Sequence, residues 1–205
     1  QPGDRYENHE REAEAYFDPV VVRQGVPEAS TGYCSDVFAN ACIDFIDRHA
    51  QVPFFAYLAF NAPHSPFQIA DEWADPYRRT GINETHAKVY GMVSNIDDNV
   101  GRVLAKVAQL GLLENTLVVF TSDHGPCGSA QNREGPPGER HRWNAGLRDI
   151  KGSMYQGGVQ VPSFWQWPGR IPAGRDVGVL STTVDILPTL ARFCGADLPA
   201  PAVDG

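Results

Sequence analysis

Val89, Val93, Ile96, Val100, Val103, Val107 and Leu110 follow one another at alternating steps of four and three. That spacing puts an apolar stripe on one side of an α-helix. Gly111 supplies the stop. After a short turn comes the apolar run Leu117-Val118-Val119-Phe120, which predicts a buried strand over residues 116–122. Helix, short turn, apolar strand, then polar loop is the rhythm of an α/β fold. No other feature of the chain limits its architecture as tightly.

The strand runs into Thr121-Ser122-Asp123-His124-Gly125. In open α/β sheets, ligands bind outside the carboxyl ends of the strands. A carboxylate and an imidazole both suit a divalent cation. Neighbouring side chains on a straight strand point to opposite faces, so Asp123 and His124 reach one ion only where the strand breaks into a loop. Gly125 supplies that break.

Phe54 to Phe60 is a second continuous apolar run, expected as a strand buried on both faces of a parallel sheet. It leads into Asn61-Ala62-Pro63-His64-Ser65-Pro66-Phe67, a proline-fixed loop. A rigidly held imidazole there can donate a proton to a leaving oxygen or bind an anion. A third segment, Lys151-Gly152-Ser153-Met154-Tyr155-Gln156-Gly157-Gly158, places three glycines within eight residues of a lysine. The glycines let backbone come close to a ligand or to another strand, and the lysine is a compact point charge for oxyanion oxygens. Arg142, Asn144 and Arg148 lie just upstream and add groups able to face a substrate or to stand in a solvated loop.

The remaining chain reads as follows. Residues 1–33 are polar, without a clear period, and are expected to be irregular. Ser35 or Asp36 caps a helix to about Arg48 with Phe38, Ala41, Cys42 and Phe45 on one face. Residues 68–85 are loop and short helix. Residues 125–150 form a long insertion, a length that is usually functional or disordered. Val159 to Trp167 is an edge or bulged strand because Pro162 interrupts it. Thr182 or Thr183 caps a last helix, Val184 to Cys194, closed by Gly195.

The net charge of −8 argues against nucleic acid, which needs a basic surface. An anionic substrate remains compatible, since a metal and a few cations reverse the field inside a cleft. No apolar run approaches the roughly 20 residues of a membrane span. The four cysteines, Cys34, Cys42, Cys127 and Cys194, include no C-x-x-C pair and read as idle or buried thiols. The first residues, Gln1-Pro2-Gly3-Asp4-Arg5, show neither a Met nor an apolar leader, so the chain is expected to begin inside a longer protein.

Taken in order, these segments resemble the sulfatase family, and more narrowly the arylsulfatase-type enzymes of the alkaline-phosphatase-like superfamily. The resemblance is carried by the loop from Ala62 to Phe67, the helix ending Gly111-Leu112-Leu113-Glu114-Asn115-Thr116, the Thr121 to Gly125 strand end, the stretch from Trp143 to Gly174 and Thr182 to Pro199. It runs from about Gly32 to Gly205. It implies an alkaline-phosphatase-like sandwich with a mostly parallel central sheet flanked by helices, here incomplete. It also implies hydrolysis of sulfate esters by a formylglycine, matured from a Cys or Ser by a formylglycine-generating enzyme, beside a calcium or magnesium ion. By the same resemblance Asp123 and His124 are metal ligands. His64 and Lys151 face the sulfate and leaving oxygens, with Arg142 and Asn144 beside the substrate. The substrate class is a sulfated small molecule or glycan, and the location periplasmic, secreted or lysosomal.

There are departures. His124 stands where many sulfatases carry Asn, a variation shared with phosphoric and phosphonate ester hydrolases of the superfamily. Gln156 replaces the Glu before the paired glycines, and Gln160 replaces an Arg. The nucleophile motif C-x-P-S-R and its serine variant do not occur in the 205 residues. The chain therefore reads as the central-to-late portion of a catalytic domain, without its nucleophile segment and carboxyl-terminal subdomain, and is expected to be inactive alone. A phosphoric or phosphonate ester hydrolase and a noncatalytic remnant are the alternatives.

Overall fold

The computed structural model of the chain describes residues 16–128 and 143–197. It divides into two units, Gln1–Ile171 and Pro172–Gly205, each described by itself.

The first unit opens with a hairpin where the sequence predicts irregular structure. Strand β1 (Val20–Arg23) pairs antiparallel with β2 (Val26–Ala29) across a two-residue turn, Gln24-Gly25. Both turn residues have positive φ, 51° and 83°, the geometry that matches the twist of two close strands. The missed signal is Gln24-Gly25 between two valine-bearing runs; the mixed charges around it hid the alternation.

Helix α1 (Cys34–Arg48) lies close to the expected span, but its cap differs. Tyr33 holds the N-cap position without a side-chain bond, while Ser35 and Asp36 sit inside the first turn. Its deeply buried residues are Cys34, Ser35, Ala39 and Ile46. The expected face, Phe38, Ala41, Cys42 and Phe45, instead lines an open groove of 460 Å³ with residues 55–59. α1 is thus apolar on two sides, and only one of them is covered by described residues.

Helix α2 (Asp71–Arg78) and the long α3 (Glu84–Gln109) complete the helical layer. Asn83 caps α3 by accepting the His86 amide at 2.9 Å. The two helices cross closely at Gly91, where a Cβ would stand 3.0 Å from the Trp73 carbonyl. Arg78 bonds Asp71 and Asp75 of α2 and Glu84 of α3, and this holds the Glu84 carboxyl below its usual range.

The apolar stripe on α3 does not define its buried face as drawn from spacing. Val89 and Val107 are buried, but Val93 is exposed, and the seam runs through Met92, Asn95 and Asn99. The reason is polar. Asp36 of α1 accepts from Asn95 at 3.0 Å and from Asn99 at 2.7 Å, and Arg102 donates to the Asn99 side-chain Oδ1 at 2.7 Å. A buried network of this kind rotates the helix to satisfy its members.

The described residues hold only a small part of the expected sheet. Strand β3 (Val118–Thr121) pairs antiparallel with β4 (Ser163–Gln166), and among the described residues both ladders are two-stranded and antiparallel. Residues 54–60 are extended, but no described strand lies alongside them. Phe55 and Tyr57 are 73% and 84% exposed, so that run is not a strand buried on both faces here. The strand expected from Val159 to Trp167 is shorter: Val159 ends a helical turn, and strand β4 starts only after Pro162, at Ser163.

Between β3 and β4 lies α4, a single turn over Gln156–Val159. In the second unit, Thr182 and Asp185 form a reciprocal capping box ahead of α5 (Ile186–Cys194), which Gly195 closes at φ 66°. Both ends match the sequence signals. No helix among the described residues is long and apolar enough to cross a membrane.

Asn99 is fully buried with its amide spent on Asp36 and Asn95. Asn99→Ala is expected to cost about 1–3 kcal/mol by stranding those partners. A fall in the urea midpoint at unchanged slope would show it.

Candidate active site

Where β3 ends, the chain turns through Ser122 and Asp123, and the turn brings Asp123 and His124 to one side as Gly125 predicts. The Asp123 carboxylate approaches the His124 ring at Nε2, 2.9 Å, while its other oxygen accepts the His124 amide at 2.9 Å. The second ring nitrogen, Nδ1, lies 2.8 Å from the Gly125 carbonyl. Both ring nitrogens therefore face oxygens that can only accept. With its N–H on Nδ1 donated to the Gly125 carbonyl, the imidazole turns the Nε2 lone pair toward the carboxylate. A cation held jointly by Nε2 and Asp123 would remove that clash.

The donor set fits a divalent metal by this chemistry. An oxygen and a nitrogen converge, and the ring's other N–H is fixed by a backbone carbonyl, as metal-ligating histidines require. Among the described residues no group of three His, Cys, Asp or Glu side chains converges as a ligand set. The pair alone is less than the six to eight oxygens typical of calcium. Asp123 is 78% exposed and so remains accessible to such an ion.

The loop carrying Lys151 is laid directly on this turn. The Gly125 amide donates to the Gly158 carbonyl at 3.0 Å, and the Lys151 amide donates to the Pro126 carbonyl at 2.9 Å. The Gly157 amide closes its own loop on the Arg148 carbonyl at 2.7 Å. These contacts leave no room for side chains. A Cβ on Gly125 would overlap the Gly157 carbonyl, one on Gly157 would overlap the carbonyls of Asp149 and Arg148, and one on Gly158 would overlap that of Ser153. The close approach expected of the glycines is thus to backbone, and it binds Asp123, His124 and Lys151 into one assembly. Lys151 itself is exposed.

Of the groups expected beside a substrate, Asn144 donates its amide to the Asp149 carbonyl at 2.8 Å and braces the lysine loop. The Arg148 guanidinium lies 3.4 Å over the Tyr155 ring, a cation–π contact that fixes it on its own loop. Arg142 and residues 129–142 of the long insertion lie outside the described residues.

His64 stands on a separate loop, exposed, with cis peptides before Pro63 and Pro66. Its Nδ1 lies 2.7 Å from the Ser65 carbonyl, which fixes the proton on Nδ1 and leaves Nε2 for chemistry. Beneath the loop, the Tyr16 hydroxyl bonds the carbonyls of Asn61 and His64, and the Cys34 thiol bonds the Asn61 side chain at 3.1 Å. The sequence reading passed over Tyr16 and Tyr33, placing them in an irregular surface segment. Their bonds span 35 to 52 residues, and local pattern carries no trace of such distant pairs.

Comparison with known proteins shows the family. The model of the sulfatase family matches residues 3–196. The chain is 37% identical over 166 residues to the steryl-sulfatase of Rattus norvegicus, covering 80% of the chain and 27% of that protein. It is 36% identical over 181 residues to human arylsulfatase A, covering 88% of the chain and 32% of the relative. Among solved structures, Ps i-CgsB in complex with k-i-k-neocarrahexaose superposes with a TM-score of 0.77 at 31% identity, over 89% of this chain and 39% of that one. The PsFucS1 sulfatase from Pseudoalteromonas sp. gives 0.68 at 26% identity, over 85% and 34%. The chain belongs to the sulfatase family. It spans about a third or less of the length of these curated relatives.

Gly157→Ala is expected to separate the two loops. Hydrogen exchange should accelerate together at the Gly125 and Lys151 amides, while amides of α3 keep their protection.

Proposed function

We propose that the chain forms the central-to-late part of a sulfatase catalytic domain of the alkaline-phosphatase-like kind, which hydrolyses a sulfate ester to an alcohol and inorganic sulfate. The observation that carries this reading is the direct backbone bonding of the Asp123-His124 turn to the Lys151 loop. It supports a cation ligand pair and a lysine backbone held on one rigid support, from which the ammonium can reach the oxygens of a tetrahedral oxyanion.

Each described residue has a role that its surroundings support, and Arg142 has one by its place in the sequence. Asp123 and His124 hold a divalent cation, calcium or magnesium, which when bound supplies charge neutralisation at the sulfate oxygens. Lys151 offers three N–H donors on a flexible stem to the same oxygens. His64, with its proton fixed on Nδ1, carries a second proton on Nε2 when charged and delivers it to the ester oxygen as the S–O bond breaks. Asn144 holds the lysine loop in shape, and Arg142 adds a cation near the substrate. The nucleophile that attacks sulfur is not among these 205 residues; by family it is a formylglycine, made by a formylglycine-generating enzyme. The structural likeness to Ps i-CgsB, solved with k-i-k-neocarrahexaose, supports a glycan as substrate, and the steryl- and arylsulfatase relatives support a small molecule.

Two outcomes test this reading. In the complete gene product, aryl sulfate hydrolysis should exceed aryl phosphate hydrolysis, and His64→Ala should lower kcat by about 10²- to 10⁴-fold. Preference for the phosphate ester would replace the sulfatase reading with a phosphoric ester hydrolase. The 205-residue chain alone should give no steady turnover of an aryl sulfate, whereas calorimetry should show calcium or magnesium binding that Asp123→Asn weakens.

A further inference from the structure

We propose that Tyr16 is a positioning residue for His64, its hydroxyl tying down both ends of the turn that carries the imidazole. This rests on His64 being the group that faces the ester. The hydroxyl lies 2.7 Å from the His64 carbonyl and 3.0 Å from the Asn61 carbonyl. One O–H thus bridges two acceptors, which are the two ends of a turn closed by the His64 amide on Asn61 at 3.0 Å. Neither end can move without loss of that bond.

The rest of the segment is built around the same loop. The Tyr16 amide donates to the Gln68 side chain at 3.2 Å, and the Tyr33 hydroxyl donates to the Gln68 carbonyl at 2.9 Å. The Cys34 amide donates to the Tyr16 carbonyl at 2.8 Å, and its thiol reaches Asn61. The Tyr16 and Tyr33 rings stack, with centroids 5.7 Å apart, and this aims the Tyr16 hydroxyl from below. The loop is therefore held at Asn61, His64 and Gln68 by residues from before α1. Burial pushes the Tyr16 hydroxyl above its ordinary range, with Cys34 adding to the effect, so the group stays a donor.

A phenyl ring would fill the same space. The oxygen has a different task, because it addresses the main chain of a residue whose own side chain is exposed. Tyr16 is 2% exposed while the His64 ring stands at the surface, with Ser65 as its bonded neighbour. The direction of the imidazole is thus inherited from its backbone, and Tyr16 fixes that backbone. A small misplacement of a proton donor weakens chemistry without weakening ground-state binding to the same degree.

Tyr16→Phe removes the one oxygen. In the chain itself, nitrogen NMR should show the His64 ring as a single Nδ1–H tautomer in the wild type and as a mixture in the variant, with His49 and His124 unchanged. In the complete gene product, kcat on an aryl sulfate should fall about ten- to a hundredfold with little change in KM. An unaltered His64 ring in a folded variant overturns the proposal, as does a raised KM at unchanged kcat. If the wild type hydrolyses no sulfate ester, the functional reading has failed, and the ring spectra still decide the tether. Should Tyr16→Phe not fold, the wild-type hydroxyl proton decides. Slow exchange with cross-relaxation to the His64 turn supports the tether, and exchange at the solvent rate overturns it.

Discussion

The arrangement of the candidate site depends on a contact between bare backbones. Gly125 on the metal-type turn meets Gly157 and Gly158 on the lysine loop so closely that no side chain fits between them. Two amide–carbonyl bonds, from Gly125 to Gly158 and from Lys151 to Pro126, fasten the loops in register. An anion site needs a cation or its ligands on one side and a fixed ammonium beside it. Side chains alone would hold that geometry loosely, because each adds rotamers. Backbone pairing fixes the main-chain positions from which those side chains extend. The glycines are required by approach rather than by a positive φ.

Both histidines that bear on chemistry are oriented by the same device. His64 Nδ1 meets the carbonyl of Ser65, and His124 Nδ1 meets that of Gly125. In each case the next carbonyl in the chain takes the Nδ1 proton and leaves Nε2 for other work. The surroundings of Nε2 then separate the two roles. At His124 a carboxylate oxygen stands 2.9 Å away, which suits a shared cation. At His64 the ring is exposed, which suits proton delivery to a bound ester. On the proposed reading, one tautomer would serve ligation in one place and acid catalysis in the other.

What could be read from the sequence was what local chemistry dictates. The spans of α3 and α1 and the capping residue and αL glycine of the last helix follow from propensity and capping. Asp123, His124, His64 and Lys151 were legible as types of group at the ends of recognisable segments. The buried face of α3 was not, because it turns toward Asp36, a residue of another helix, and a polar seam leaves no apolar period. The assembly of the sheet was illegible for a related reason. An apolar run such as 54–60 states that it would accept covering on both faces, not what covers it, and the antiparallel pairing of β3 with β4 depends on a partner more than forty residues away. The Gln24-Gly25 hairpin was legible in principle, since its turn residues are a local signal.

The ties that local pattern hides are mostly polar and long-range. Asp36 joins α1 to α3 through Asn95 and Asn99, and Tyr16 joins the segment before α1 to the His64 loop. Apolar contact is tolerant of small rotations and slips, since a neighbouring face buries nearly as much area. A hydrogen bond between buried groups is not, because a shift of an ångström leaves a donor or acceptor stranded. Such bonds therefore select one register among several of similar apolar burial. In this chain they lie where selection matters most for chemistry, on the helix pair that frames the unit and under the loop that presents His64. Precision at the surface is inherited from buried polar atoms two steps removed from any substrate.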